Sequence, residues 1–94
     1  MSPNTHYQLA GRVDATNAQQ CEDEITALLP DVDQAIIIDL SALDYISSVG
    51  LRVFLKIAKV LKERDKKLVL AKPTEPILEI LVMSGFNKII EIQR

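Results

Sequence analysis

The stretch Ile36-Ile37-Ile38-Asp39-Leu40 constrains this chain most, because three successive branched apolar residues without a polar partner read as a strand covered on both faces in the middle of a sheet. From Val49 the apolar period becomes helical, so Ser47 and Ser48 fall where strand turns into helix. Backbone N–H groups there have no intrahelical partners. A serine at that point can cap the helix. It can equally carry a phosphate, because a helix N-terminus tolerates negative charge.

The remaining segments alternate strand and helix. Tyr7, Leu9 and Gly11 to Val13 read as a strand broken by Gly11 and Asp14, and Met1 to His6, with Pro3 and Asn4, reads as a disordered start at residues 1–6. Thr16 or Asn17 can cap a helix, each with a glutamine three residues on in capping-box spacing, that buries Ala18, Cys21, Ile25, Leu28 and Leu29 and stops at Pro30. The helix after Ser48 runs to about Arg64, with Val49, Val53, Phe54, Ile57, Val60 and Leu61 as its core stripe and Arg52, Lys56, Lys59 and Glu63 opposite. Leu51, Leu55 and Ala58 lie on the border between the two stripes, a pattern that a docking face and a helix buried between two neighbours would both show. A short strand over Leu68–Ala71, a helix over Glu75–Met83 ended by Gly85, and a last strand over Asn87–Ile92 complete the chain. Strands alternating with helices predict an α/β fold with a largely parallel sheet and right-handed crossovers.

Composition removes several functions. The chain has 94 residues, enough for one domain. Its net charge is −2 with both signs scattered, and two tyrosines without tryptophan make a poor stacking platform, so nucleic acid is not an expected partner. No apolar run reaches the ~20 residues of a membrane span and no leader is visible, so a cytoplasmic protein without membrane insertion is expected. The one histidine, His6, and the one cysteine, Cys21, lack companions for catalysis, and no glycine-rich cradle or metal loop is present. An enzyme and a bound cofactor are therefore not expected.

Asp39-Leu-Ser-Ala-Leu-Asp-Tyr-Ile-Ser-Ser-Val-Gly-Leu-Arg52 resembles the signature of the STAS domain, in particular the small bacterial anti-sigma factor antagonists. Ala10-Gly-Arg-Val-Asp-Ala15, Lys67-Leu-Val-Leu-Ala71 and Met83-Ser-Gly-Phe-Asn-Lys-Ile-Ile90 are similar to other parts of the family pattern, so that residues 7–94 are identified as one such domain. The resemblance implies a mostly parallel or mixed sheet of four to five strands with helices packed on it. The family's first strand would be short or missing here, leaving an edge through which a dimer could form.

The functional residues follow from the same resemblance. The phosphorylated serine of the family stands two residues before the motif glycine, which is Gly50, and that role falls on Ser48. The Asp that most members carry just before it is replaced by Ser47, a second candidate acceptor. Asp14, Asp44, Ser47, Ser48, Gly50, Leu51, Arg52 and Leu55 form the expected partner-binding surface. The implied partners are an anti-sigma factor serine kinase and a metal-dependent serine phosphatase. A second reading of the same docking helix is a STAS subunit clamping the ATPase of a lipid-transporting ABC complex.

Overall fold

The computed structural model describes residues 4–94. Four strands, β1 (Asn4–Val13), β2 (Ala35–Ile46), β3 (Lys67–Ala71) and β4 (Glu91–Gln93), alternate with three helices, α1 (Ala18–Thr26), α2 (Ser48–Glu63) and α3 (Glu75–Met83). All neighbouring strands pair in parallel, in the order β1-β2-β3-β4. Each crossover steps one place in the same direction, and right-handed crossovers that do so leave every helix on one face.

The core confirms that arrangement. Ile36, Ile38 and Leu40 of β2 and Leu68 and Leu70 of β3 share one buried cluster with Ile25 of α1, Phe54, Ile57 and Leu61 of α2, and Ile77 and Leu81 of α3. Ile37 points the other way and is half-buried. Ala35, Val69 and Ala71 are buried too, but they stand outside that cluster, on the face without helices. The triple isoleucine thus belongs to a central strand covered by helices on one face rather than on both.

Residues 4–6 correct the expected disordered start, since they are the first rungs of β1, opposite Ala35, Ile36 and Ile37. The rest of that start, residues 1–3, lies outside the described residues. No separate strand precedes Tyr7 among them, and β1 occupies one edge of the sheet. Its Tyr7 hydroxyl donates to Glu24 Oε1 at 3.0 Å, tying α1 to the edge strand.

β2 departs from strict alternation. Its register against β1 slips between Gln8 and Ala10 and again between Gly11 and Arg12, each time with an extra residue on β2. Beyond Leu40 the core-facing positions are therefore Leu43 and Ile46, three apart instead of two. Asp39 serves the first bulge, accepting the Ser41 amide at 2.8 Å, and hydrogen bonding from Ser41 holds its carboxyl below the ordinary range. It is a capping residue within the strand.

The ends of the elements also differ from the sequence reading. α1 stops at Thr26 and a 3₁₀ turn over Leu29–Asp31 carries Pro30; another over Phe86–Lys88 takes the first two residues of the last expected strand, which forms only over Glu91–Gln93. Gly85 holds φ +78° beyond α3, a left-handed conformation that favours glycine. Asn17 caps α1 without a side-chain bond to it, so the expected capping box does not form.

Two measurements test this packing. Burial, and then the Glu24 carboxylate, raise the Tyr7 pKa to about 12 from 10.0. The folded state therefore keeps its phenolic proton where the unfolded chain has lost it, and stability present below pH 10 falls as pH rises toward 12. Tyr7→Phe should flatten that loss in urea titrations at pH 9 and 11; an unchanged slope would deny the contact. Gly50 is buried, and a Cβ on it would lie 2.8 Å from both Ile46 Cγ1 and Val13 Cγ1. Gly50→Ala should cost a net ~1–2 kcal/mol in urea unfolding, because overpacking exceeds the gain in helix propensity. A stabilised variant would show that the seat is loose.

Candidate functional site: the N-terminus of the second helix

β1 and β2 end side by side, at Val13 and Ile46, and the Ser47 amide donates to the Val13 carbonyl at 2.9 Å. That bond joins the two strand ends just where α2 begins. Gly50 then seats the first turn of α2 on Val13 and Ile46 so closely that a Cβ would force one of those side chains to shift. The position of the helix N-terminus is fixed from below.

The paired serines divide the work that either could do. Ser47 is the N-cap, with its Oγ accepting the Gly50 amide at 3.3 Å, and it is half-buried. Ser48 is the first helical residue. It is exposed, and its hydroxyl has no hydrogen-bond partner among the described residues.

Asp14 follows Val13 directly and so reaches the same pole. Its Oδ1 accepts both the hydroxyl and the amide of Thr16, while Oδ2 takes Arg12 Nε at 2.9 Å. Hydrogen bonds from the Thr16 hydroxyl and amide, then the Arg12 guanidinium, hold its carboxyl below the ordinary range. The Asp14 carbonyl accepts from Asn17 and Ala18, and the Asp14 amide donates to Asn17 Oδ1. Asp14 is thus a turn former whose charge remains at the surface of the site.

The other expected residues sort themselves along α2. Arg52 and Leu55 are exposed on the side of Ser48, at helical spacings of four and seven. Leu51 is half-buried and packs against the core. Val49, expected in the core stripe, is instead 37% exposed beside the serine. It shares a hollow of about 280 Å³ between α1 and α2 with Ala15, Ala18 and Arg52. Asp44 is exposed on β2, at the second bulge.

Sequence reasoning missed two neighbours. Tyr45 is 45% exposed, and the Arg12 guanidinium lies 5.1 Å from its ring centroid. Tyr45, Arg12, Asp14 and Thr16 therefore form one connected surface beside the serine. The strand spacing of Arg12 and Asp14 places them on one side of β1, but their approach to Tyr45 depends on the slipped register, which the sequence alone does not announce.

Cys21 is half-buried, and burial followed by the Glu24 charge pushes its thiol above the ordinary value, which makes a poor nucleophile. Among the described residues no group of three or more His, Cys, Asp or Glu side chains could hold a metal ion, and no helix is long and apolar enough to cross a membrane.

The geometry agrees with what the chain is similar to. A model of the STAS domain matches residues 2–94. The putative anti-sigma factor antagonist BtrV of Bordetella bronchiseptica is 39% identical over 84 residues, which are 89% of this chain and 72% of that one. Among solved structures, a putative anti-sigma factor antagonist from Thermotoga maritima superposes with a TM-score of 0.91 at 19% identity, over 100% of this chain and 81% of that one. A sulfate transporter family protein from Wolinella succinogenes reaches 0.84 at 12% identity, over 99% and 78%, so the fold alone does not decide the task. With the family model spanning nearly every residue, this chain belongs to the STAS domain family.

Proposed function

We propose that this protein is a cytoplasmic anti-sigma factor antagonist without enzymatic activity of its own, which binds a serine-kinase anti-sigma factor when Ser48 is unmodified and is released when Ser48 is phosphorylated. The single observation that carries this reading is the contrast between the two serines. Ser47 has its hydroxyl committed to the cap, whereas Ser48 offers an exposed, unpartnered hydroxyl on the first turn of a helix. Kinship with BtrV supports the choice of task.

The kinase would transfer the γ-phosphoryl group of ATP to Ser48 Oγ, the hydroxyl proton passing to a base on the kinase as ADP departs. A metal-dependent serine phosphatase would hydrolyse the ester and restore the hydroxyl. Unmodified, the site presents Ser48, Val49, Tyr45 and Arg52 as a small surface of low charge, flanked by Asp14 and Asp44. Phosphorylation adds about −1.5 to −2 charge. The helix N-terminus tolerates that charge, so the fold is not what changes. The partner is affected instead. Covering a dianion beside two carboxylates costs desolvation and repulsion of ~3 kcal/mol, more than a hundredfold in affinity. Arg52, one turn beyond Ser48, would also be drawn to the phosphate and away from the partner.

Incubation with the serine-kinase anti-sigma factor of the same organism and ATP, followed by phosphopeptide mapping, tests the proposal. Label is expected on Ser48 and is lost in Ser48→Ala. Ser48→Asp should weaken kinase binding by about a hundredfold. Ser47→Ala should lose ~1 kcal/mol of stability with its cap, yet still take the label. Label confined to Ser47, or undiminished binding of Ser48→Asp, would overturn the switch; the latter would point to constitutive docking, as on a transporter ATPase.

A further inference from the structure

A second hollow lies away from Ser48, toward the C-terminal half of α2. It is a groove of about 590 Å³, with Leu55 and Ala58 of α2 on one side, Leu68 of β3 and Ile90 within it, and Ile89 at its other side. Two of these apolar residues are strongly exposed, Leu55 at 40% and Ile89 at 63%. It is framed by α2, the turn from α2 into β3 and the segment leading into β4.

Charge surrounds the groove. Lys59, Lys62, Lys66 and Lys67 line it, with Glu91 as its one acid. Glu91 is held by Lys67 at 2.9 Å, and Lys66 donates to the Asp33 carbonyl, but Lys59 and Lys62 have no partner among the described residues. These lysines belong to a segment, residues 52–72, that carries eight of the eleven Lys and Arg against two acids, whereas the remaining chain carries three against eleven. The two signs, which look scattered in the overall composition, are segregated, and the basic part encloses the apolar gap.

We propose that this groove, which includes Leu55 two turns beyond Ser48 on the same helix face, is a second docking site that stands without the Ser48 reading, and that it receives an acidic amphipathic helix from another protein. An apolar floor beside α2 accommodates a helix laid in the groove, with apolar anchors about one turn apart. Unpaired lysines on the rim select acidic residues flanking those anchors. A partner held there would leave the α2 N-terminus open, because Lys59 stands eleven residues, about 16 Å along the helix, from Ser48. A second protein could then be carried while the serine is modified and restored.

The test titrates the ¹⁵N-labelled full chain with a designed 18-residue amphipathic peptide bearing leucines on one face and glutamates beside them. A control peptide carries lysines in place of the glutamates. Saturable shifts are expected at the amides of Leu55, Ala58, Leu68, Ile89 and Ile90 with the acidic peptide alone. Lys59→Glu/Lys62→Glu and, separately, Ile89→Lys should each weaken binding by about tenfold or more while preserving the native spectrum. Ser48→Asp should leave the titration unchanged, so failure of the phosphorylation switch and failure of this site are distinguishable. Equal binding of the basic peptide, shifts confined to the Ser48 end, or no saturable binding would overturn the proposal. So would occupation of the groove by a second copy of the chain, seen as self-association abolished by Ile89→Lys, or by phosphatidylglycerol vesicles in preference to the peptide.

Discussion

The close approach of Gly50 to Val13 and Ile46 is the constraint on which the rest of the site depends. A helix can start after a strand in many orientations, and side chains in its first turn ordinarily hold it off the sheet. Here the missing Cβ lets the backbone of α2 settle on the ends of β1 and β2, and the Ser47–Val13 bond locks the strand ends together beneath it. Burial of Val53, Phe54, Ile57 and Leu61 then anchors the helix along its length. The first turn sits on the core, and its outer face is open to solvent.

The proposed switch relies on that seat. A phosphate on a mobile loop would act by reordering the loop, whereas a phosphate on a seated helix end acts through its charge at a fixed place. The seat also separates the roles of the two serines. One side chain turns back to satisfy the helix, and the other is left to solvent. The turn from Asp14 to Asn17, closed on itself by hydrogen bonds, places a carboxylate beside them without spending it on α2.

Most of this was legible in the residues, for identifiable reasons. The spacing of Val53, Phe54, Ile57 and Leu61 specifies α2, and the alternation of elements specifies a parallel sheet, because both signals are repeated along the chain. The bulges of β2 were not visible, since a single extra residue leaves no periodic trace; they bring Leu43 and Ile46 inward and Tyr45 toward Arg12. Val49 fits the apolar period of α2, yet it lies at the helix start, where the sheet has already ended, and so it stays partly exposed. Residues 4–6 lack an apolar pattern because they lie on an edge strand, and it is backbone pairing with β2 that orders them. The resemblance already assigns the acceptor role to Ser48 through its spacing to Gly50, and the structure adds that the Ser47 hydroxyl is committed to the cap.

The central claim is that charge added at Ser48 leaves the fold in place and alters only its local surface. Comparing ¹H–¹⁵N spectra of the chain before and after stoichiometric phosphorylation of Ser48 tests this most directly. The account predicts shifts restricted to residues 14–17 and 45–52, with the amides of β3, α3 and β4 unmoved. Shifts or accelerated hydrogen exchange spread along the whole of α2 and across the sheet would contradict it, because the helix would then have left its seat.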